Sequence, residues 1–407
     1  MQTGLLATPA ASGAPSTGAG RPFDAIVVGA GIVGLCAAAS LARRQISVAL
    51  VAPIGAAYRP DASQQYDPRV YAISNKSQRF LAGIKAWDAL PADRLTPVLG
   101  MDVWGDDTRA DAMRLRARDA GLDALTWILE QQSLLDALDM VVKFSPGLTR
   151  FSASMQALVH ADGMWTLTTD TGERLSAPRV FAADGANSAV RSAAQLDFPL
   201  EDYNAHGVVG TFQQTHDHGG VARQWFLGDS VLALLPLPGR CVSMVWSMDT
   251  HRYYARQRDS VESWGSSVLA AANGRVGELT GPLQAVGAIH AYPLRHGMAP
   301  LWFADGVVLL GDAAHQVHPL AGQGLNMGIE DVADLQTVVD AGFSDASLRA
   351  WQRQRKAEAQ PIHWLTHGLN GLFRIDLPGV QWLRNTGMQM INEVPAVKRW
   401  LISQAMR

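Results

Sequence analysis

With 407 residues, 48% of them hydrophobic and 17% charged, the chain has the composition of a globular protein with a large core, and wholesale disorder is excluded. A prior of roughly 150 residues per domain predicts two or three folding units. The formal charge of −3 supplies no basic surface for nucleic acid, and two cysteines far apart, Cys36 and Cys241, make neither a disulfide framework nor a zinc site.

Residues 1–20 are rich in Gly, Ala, Ser and Thr and carry no charge. They lack the basic start and apolar run of a secretory signal, so a disordered leader and a reducing, cytoplasmic setting are expected. Next comes an uncharged 18-residue stretch, Ala25 to Ala42. Its length is near that of a membrane helix, but its three glycines follow strand-like residues, which favours strand, turn and helix. FDAIVV reads as a strand covered on both faces, GAGIVG as the turn, LCAAASLARR as a helix and ISVALVA as a second strand.

Further along, TWILEQQSLLDALDMVV (126–142) has helical spacing, and 144–182 is β-rich with a hairpin around Thr171-Gly172. From about 197 to 300, runs such as VVGTFQ, VLALLPL and CVSMVWS predict an inserted antiparallel sheet. VVLLGDAAH (307–315) returns to a buried strand. A helix is expected from Gly324, with Leu325, Ile329, Val332, Leu335 and Val339 on one face. The remainder, 345–407, reads as helices broken near Pro361, Pro378 and Pro395.

Three motifs carry chemistry. In Gly29-x-Gly31-x-x-Gly34 the first glycine permits a tight turn, the second lets a pyrophosphate approach the backbone, and the third allows close helix–strand packing. The helix that follows offers free N–H groups and a positive dipole end. The acid expected at the end of the second strand is missing, since Ala52 and Pro53 stand there. This argues mildly against NAD as the ligand of that unit. The second motif is Ala183-Asp184-Gly185-Ala186-Asn187-Ser188 with Arg191, which by itself reads as a turn. The third is Gly311-Asp312-Ala313-Ala314-His315, then Pro319 and Gly322-Gln323-Gly324-Leu325-Asn326. Its acid ends a buried strand, where it can accept bonds from a polyol. Its glycines open a helix whose dipole would stabilise negative charge on a reduced ring.

In this order the motifs resemble the single-component FAD-dependent aromatic hydroxylases, the class A flavoprotein monooxygenases. The chain looks most like the ubiquinone-biosynthesis branch, which DPRVYAIS (67–74) and LALLPLPGRCVSMVWS (232–247) also match. The resemblance implies an α/β fold: a Rossmann-like FAD-binding domain of the GR2 type with an inserted antiparallel substrate sheet and a C-terminal helical region. Its expected limits are 21–75, 100–190 and 290–345 for the FAD domain, 76–99 and 191–289 for the substrate domain, and 346–407 for the helical region. It also implies that Gly29, Gly31, Ile32 and Gly34 meet the FAD pyrophosphate and that Asp312 meets the ribityl or pyrophosphate region. Pro319, Gly322, Gly324, Leu325 and Asn326 would cradle the isoalloxazine. Arg69 and Gln131 match positions beside the flavin, and Asp184 sits in a motif implicated in FAD and NADPH contacts.

The cycle implied is reduction of FAD by NADPH or NADH, formation of a flavin C4a-hydroperoxide with O2, and oxygen transfer to a hydrophobic aromatic ring, a polyprenylated phenol or quinol. The cofactor carries the chemistry, so no catalytic acid or base is assigned. His206 is a candidate phenol-facing group set against an ordinary structural role. His315 and His318 without a carboxylate or thiolate cluster do not make a metal site. Apolar Phe373, Trp382, Leu383, Trp400, Leu401 and Ile402 beside basic Arg374, Arg384, Lys398 and Arg399 could touch a membrane surface or a biosynthetic partner, against simple packing on the FAD domain. The rival readings are a hydroxylase of a small soluble aromatic acid, for which Arg223 or Arg240 would pair the carboxylate, a non-catalytic FAD-fold prenyl-binding or scaffold protein, and a flavin-dependent reductase or epoxidase of isoprenoids.

Overall fold

The computed structural model describes residues 21–53, 66–105, 111–228, 230–316 and 323–374, the last of these from 360 onward as helix backbone. The helices, in chain order, are α1 (Ile32–Ala42), α2 (Asn75–Gly83), α3 (Gln131–Lys143), α4 (Ala189–Ala193), α5 (Thr250–Arg256), α6 (Val261–Ala270), α7 (Arg275–Thr280), α8 (Gln323–Asp340) and α9 (Asp345–Arg374).

The first sheet has six strands in the order Phe303–Ala304, Val307–Leu309, Val180–Ala182, Ala25–Val28, Val48–Val51 and Leu148–Phe151, all pairing in parallel except the first pair. Val, Ile, Leu and Ala fill these strands because helices cover the sheet. In α1 Cys36, Ala37, Ala38 and Ala39 are at most 1% exposed, and such small side chains let the helix axis lie close to the sheet. The register is decisive for function. Val28 pairs with Val51 and Ala182, and Ala182 pairs with Leu309. The carboxyl ends of these strands therefore lie in a row. GAGIVG, Ala52, Ala183-Asp184 and Gly311-Asp312 all leave the sheet along one edge, where open α/β sheets bind ligands.

A four-stranded sheet (Arg21–Pro22, Arg174–Ala177, Met164–Thr169, Met155–Ala161) contains the expected hairpin. Thr168 pairs with Arg174, and Gly172 takes the positive φ of 86° that the turn requires. The inserted sheet is present, and with strands from other segments it has eight: His315–Gln316, Leu283–Met298, Leu200–Gln214, Cys241–Asp249, Val231–Pro236, Val221–Phe226, Gly100–Trp104 and Met113–Arg116, antiparallel throughout except where Val221–Phe226 meets Gly100–Trp104 in parallel. Burial alternates along strands such as Val231–Pro236, one face of the sheet lying against helices. Val208, Phe212, Leu232, Met244 and Trp246 pack with Trp264, Val268 and Val276 of α6 and α7. Each such large side chain contributes roughly 1.5–3 kcal/mol by burial. Their alternate neighbours face the other way.

Several expectations are corrected. TWILE (126–130) is a strand, paired with Val70–Ile73 and Thr96–Val98, and the helix begins only at Gln131. Its β-branched and aromatic residues suit a strand, and helical spacing over five residues cannot separate the two. The helix α9 continues through Pro361 to Arg374, where proline costs one backbone hydrogen bond in a long helix. Sheet membership also departs from the expected segment limits. Strands Gly100–Trp104 and Met113–Arg116 and the end of Leu283–Met298 belong to the eight-stranded sheet. In contrast Phe80, Leu81, Ile84 and Leu90 join the core of the parallel-sheet unit. Local patterns mark strands but not the sheet they enter. The expected leader, Pro319, Gly322, His318 and the apolar-basic tail from Trp382 to Ile402 lie outside the described residues, and for Phe373 and Arg374 the backbone alone is described.

Candidate active site

The three glycines of the first motif divide the labour as their chemistry predicts. Gly29 has φ of +107°, and a Cβ there would sit 2.2 Å from the Ala183 carbonyl oxygen. A Cβ on Gly34 would lie 2.0 Å from the Gly29 carbonyl oxygen. Both positions are closed by the protein itself. At Gly31 an added Cβ meets nothing within 4 Å among the described residues. Gly31 is also the N-cap of α1, with no side-chain cap and no acid in the first turn. Uncapped N–H groups beside an open approach form an anion site.

Arg191 joins the second motif to the third. Its guanidinium donates to the Ala313 carbonyl at 2.9 Å and to the Ala186 carbonyl at 2.7 Å, and stacks on Phe198 at 4.0 Å. Asp184 accepts the Val190 N–H at 3.1 Å, while its other carboxylate oxygen is buried with no hydrogen-bond partner among the described residues. Ala183 and Gly185 line the central cavity and Asp184 does not, so the Asp184 contact the structure shows is to α4.

That cavity has a volume of about 730 Å³. It runs from Gly31 and Ile32, past Asp312 and the first turn of α8 (Gln323, Gly324, Leu325, Asn326), to the face of the eight-stranded sheet. Arg69 and Gln131 line it too. Asp312 lies beyond its strand in the turn Gly311–Ala313. It is deep among protein atoms yet open to the cavity. That depth pushes its pKa up, opposed by His315 and Arg69. Asn326 ties α8 to the opposite wall: its amide oxygen accepts Ser74 N–H at 2.9 Å and its amide nitrogen donates to Ala72 O at 2.7 Å. The structure thus brings together Gly31, Ile32, Arg69, Gln131, Asp312, Gly324, Leu325 and Asn326, with Gly29 and Gly34 packed behind.

Sequence reasoning missed the groups that hold these residues. Arg69 lies over the Tyr292 ring at 4.2 Å, and Tyr71 donates its hydroxyl to Gln131 at 2.8 Å. Beneath them the buried Asp67 accepts N–H groups of Arg69 at 2.8 Å and Gln132 at 3.0 Å, and its own N–H donates to Glu130 at 2.6 Å. Burial raises the Asp67 pKa against those N–H donors, and raises that of Glu130 against the Asp67 N–H and Arg94. Asp331, wholly buried, accepts from Gly311 N–H at 3.0 Å, His315 Nε2 at 2.6 Å and Arg355 Nε at 2.9 Å. Burial favours its protonated form, but His315, Arg355 and the Gly311 N–H outweigh it and hold its pKa below the ordinary value. An acid at a core-facing position of a helix was the available signal for Asp331.

Two candidates leave the site. His206 stacks on Tyr253 at 4.4 Å and its Nδ1 is 3.2 Å from the Thr250 hydroxyl. It faces α5, because Gly207 and Val209 take the cavity side of the strand. Arg223 likewise alternates with cavity-lining Ala222 and Gln224, and Arg240 donates to Thr215 O in a turn. The remaining sheet lining combines an apolar patch, Val209, Val231, Ala233, Leu235, Val245 and Leu294, with the polar side chains of Ser247, Tyr292, Arg295 and Gln316.

A glycine turn open to a pyrophosphate, a carboxylate turn beside it and an apolar chamber against a separate sheet define a flavoprotein oxygenase fold. The family model described as an FAD binding domain matches residues 23–362. The chain belongs to that family and is an FAD-dependent monooxygenase of the aromatic-hydroxylase class, grouping with its ubiquinone-biosynthesis branch. It is 30% identical to the mitochondrial ubiquinone biosynthesis monooxygenase COQ6 of Drosophila melanogaster, over 94% of this chain and 90% of the relative. It is also 30% identical to the 3-demethoxyubiquinol 3-hydroxylase of Escherichia coli, over 95% and 99%. Among solved structures, PqsL of Pseudomonas aeruginosa, a probable FAD-dependent monooxygenase, shares the fold with a TM-score of 0.74 at 20% identity, covering 91% of this chain and 100% of that one. No helix among the described residues is long and apolar enough to cross a membrane.

Proposed function

We propose that this monooxygenase hydroxylates the aromatic ring of a polyprenylated phenol or quinol in ubiquinone biosynthesis, using O2 and NADPH or NADH. The observation that carries this reading is the apolar patch of Val209, Val231, Ala233, Leu235, Val245 and Leu294 on the sheet face of the cavity; Arg223 and Arg240 do not line it, and Arg295, which does, lies 3.9 Å from the Asp202 carboxylate. A small aromatic acid would have to draw Arg295 away from Asp202 to offset loss of water from its carboxylate. An isoprenoid chain needs only dry surface.

The residues fit FAD. The uncapped N-terminus of α1 at Gly31 and Ile32 would hold the pyrophosphate, and Asp312 would accept bonds from the ribityl chain. Gly324, Leu325 and Asn326, with Pro319 and Gly322, would edge the ring system. Arg69 and Gln131 would lie beside it, and Asp184 would act by holding the Ala183–Gly185 turn. When bound, FAD supplies hydride acceptance and oxygen activation. The chain's own share is to exclude water and to orient the ring. Val209, Ala233, Val245 and Leu294 present apolar surface to the substrate, while the Arg69–Tyr292 pair sets the polar end of the chamber. Contact with a membrane surface or a biosynthetic complex through the C-terminal region completes the proposal, since such a substrate partitions into lipid.

The test is anaerobic reduction of the bound flavin by NADPH with and without a short-chain prenylphenol, followed by product analysis under 18O2. Faster bleaching with the phenol and one 18O atom on the ring support the reading. Stimulation by simple benzoates but not by the prenylphenol would refute it in favour of a soluble aromatic acid.

A further inference from the structure

The turn that carries Asp312 has local bonds, Ala313 N–H to Leu310 O at 3.3 Å and Ala314 N–H to Gly311 O at 2.8 Å, and is held further by side chains from other elements. Gly311 has φ of +56°, and a Cβ there would press on Val33 of α1 at 3.1 Å. Gly328 of α8 approaches so closely that its Cβ would lie 3.1 Å from Gly311 Cα. Into this contact α8 sends Asp331, whose Oδ2 takes both the Gly311 N–H and His315 Nε2, while Oδ1 takes Arg355 Nε from α9. Arg355 is itself 1% exposed and donates further to the Met327 carbonyl of α8. His315 is 1% exposed, its ring tilted against that of Trp302 with centroids 4.8 Å apart. A buried carboxylate is tolerated only when its bonds are complete, and these bonds run from both ends of the 311–315 turn to one side chain. The first turn of the same α8 lines the cavity at Gly324, Leu325 and Asn326.

We infer that Asp331 is a positioning residue for the cofactor. Through Gly311 and His315 it fixes the turn so that Asp312 points into the cavity, and it locks that turn to the helix that forms the opposite edge of the cradle. Arg355 extends the lock to α9, so docking of the C-terminal helix and retention of FAD are linked. A supported site keeps its geometry before the ligand arrives, and loosening the support costs affinity without touching the ligand.

The inference rests on the assignment of the 311–315 turn to FAD, and the test separates the two. FAD affinity of the apoprotein would be measured by flavin fluorescence quenching, with circular dichroism and thermal unfolding as controls. His315→Leu removes one donor to Asp331 and should weaken FAD binding by about tenfold or more, the usual effect of losing a hydrogen bond to a buried charge. His315→Gln restores an N–H to the same oxygen and should return affinity to within about threefold, a fraction of that bond. The visible spectrum of the bound flavin should change in the Leu variant and recover in the Gln variant. A folded Leu variant with parental affinity would overturn the inference. If the Leu variant does not fold, the Gln variant decides: parental affinity and spectrum support the inference, and a tenfold loss overturns it. Asp312→Asn binding FAD with parental affinity would overturn the role of Asp312, while the support by Asp331 stands or falls on the His315 variants.

Discussion

Adding one methyl group separates the glycine that the fold needs from the glycine that the ligand needs. Gly31 has φ of −73° and ψ of 176°, a conformation open to any L residue, and a Cβ there meets nothing within 4 Å among the described residues. Gly31→Ala should therefore cost the apoprotein only the difference between Gly and Ala at an N-cap, below about 1 kcal/mol. The same methyl stands where the pyrophosphate must approach. Losing one charge-assisted hydrogen bond costs about 1.5–3 kcal/mol, which weakens FAD binding about 10- to 150-fold. Gly34→Ala should do the opposite. Its Cβ would lie 2.0 Å from the Gly29 carbonyl oxygen and 3.3 Å from Ala183 Cβ, so backbone must move, at about 1–3 kcal/mol or more. Urea unfolding of each apoprotein and FAD titration by fluorescence quenching read the two effects apart. A Gly31→Ala protein with parental FAD affinity would refute the placement of the phosphates. Equal destabilisation of both apoproteins would refute the division of roles.

Asp312→Asn should strengthen the apoprotein at neutral pH while weakening FAD binding. The raised folded pKa means that the folded parent binds a proton more tightly than the unfolded chain. Stability from this group is present below the ordinary carboxylate pKa and is lost as pH rises through the folded value. The advantage of the Asn variant in urea should grow from pH 4 to pH 7, and a difference that stays flat would contradict the sign. Arg191→Met leaves the Ala313 and Ala186 carbonyls without their donor, for which a loss of about 2–4 kcal/mol in apoprotein stability is expected; an unchanged urea midpoint would show that the second and third motifs need no tie. Ala233→Trp projects an indole from the sheet into the chamber. It should lower kcat/KM for a prenylphenol by about tenfold or more, as filling a pocket does, with FAD affinity intact, and unchanged kcat/KM would place the substrate elsewhere.

The parallel-sheet unit was legible because its signals are local. A buried strand, three glycines at fixed spacing and a helix of small residues each declare themselves within about a dozen positions. The cofactor class followed from the resemblance that the motifs around Gly31, Asp312 and Asn326 bear to FAD-dependent aromatic hydroxylases. Alternation likewise revealed an antiparallel sheet between 197 and 300. What spacing could not give was which face of each strand meets the chamber. That choice placed Val209 in the cavity and His206 against α5, and it took Arg223 out of contention.

Nor could the sequence say that Gly100–Trp104 would pair with Val221–Phe226, over 100 residues away. Strand pairing at such separation depends on the packing of the whole, not on any local preference. The supports of the site, Asp67 beneath Arg69, Arg191 between two motifs and Asp331 between two helices, belong to the same class. Arg191 and Asp67 fall within quoted motifs and Asp331 does not, but for all three the sequence is silent on the distant partners, Ala313, Gln132 and Arg355 among them. Sequence alone determined the chemistry this protein can bind, because that chemistry resides in short contiguous turns. Tertiary structure decided which residues hold those turns in place and how dry the chamber beside them is, because both depend on contacts between distant segments.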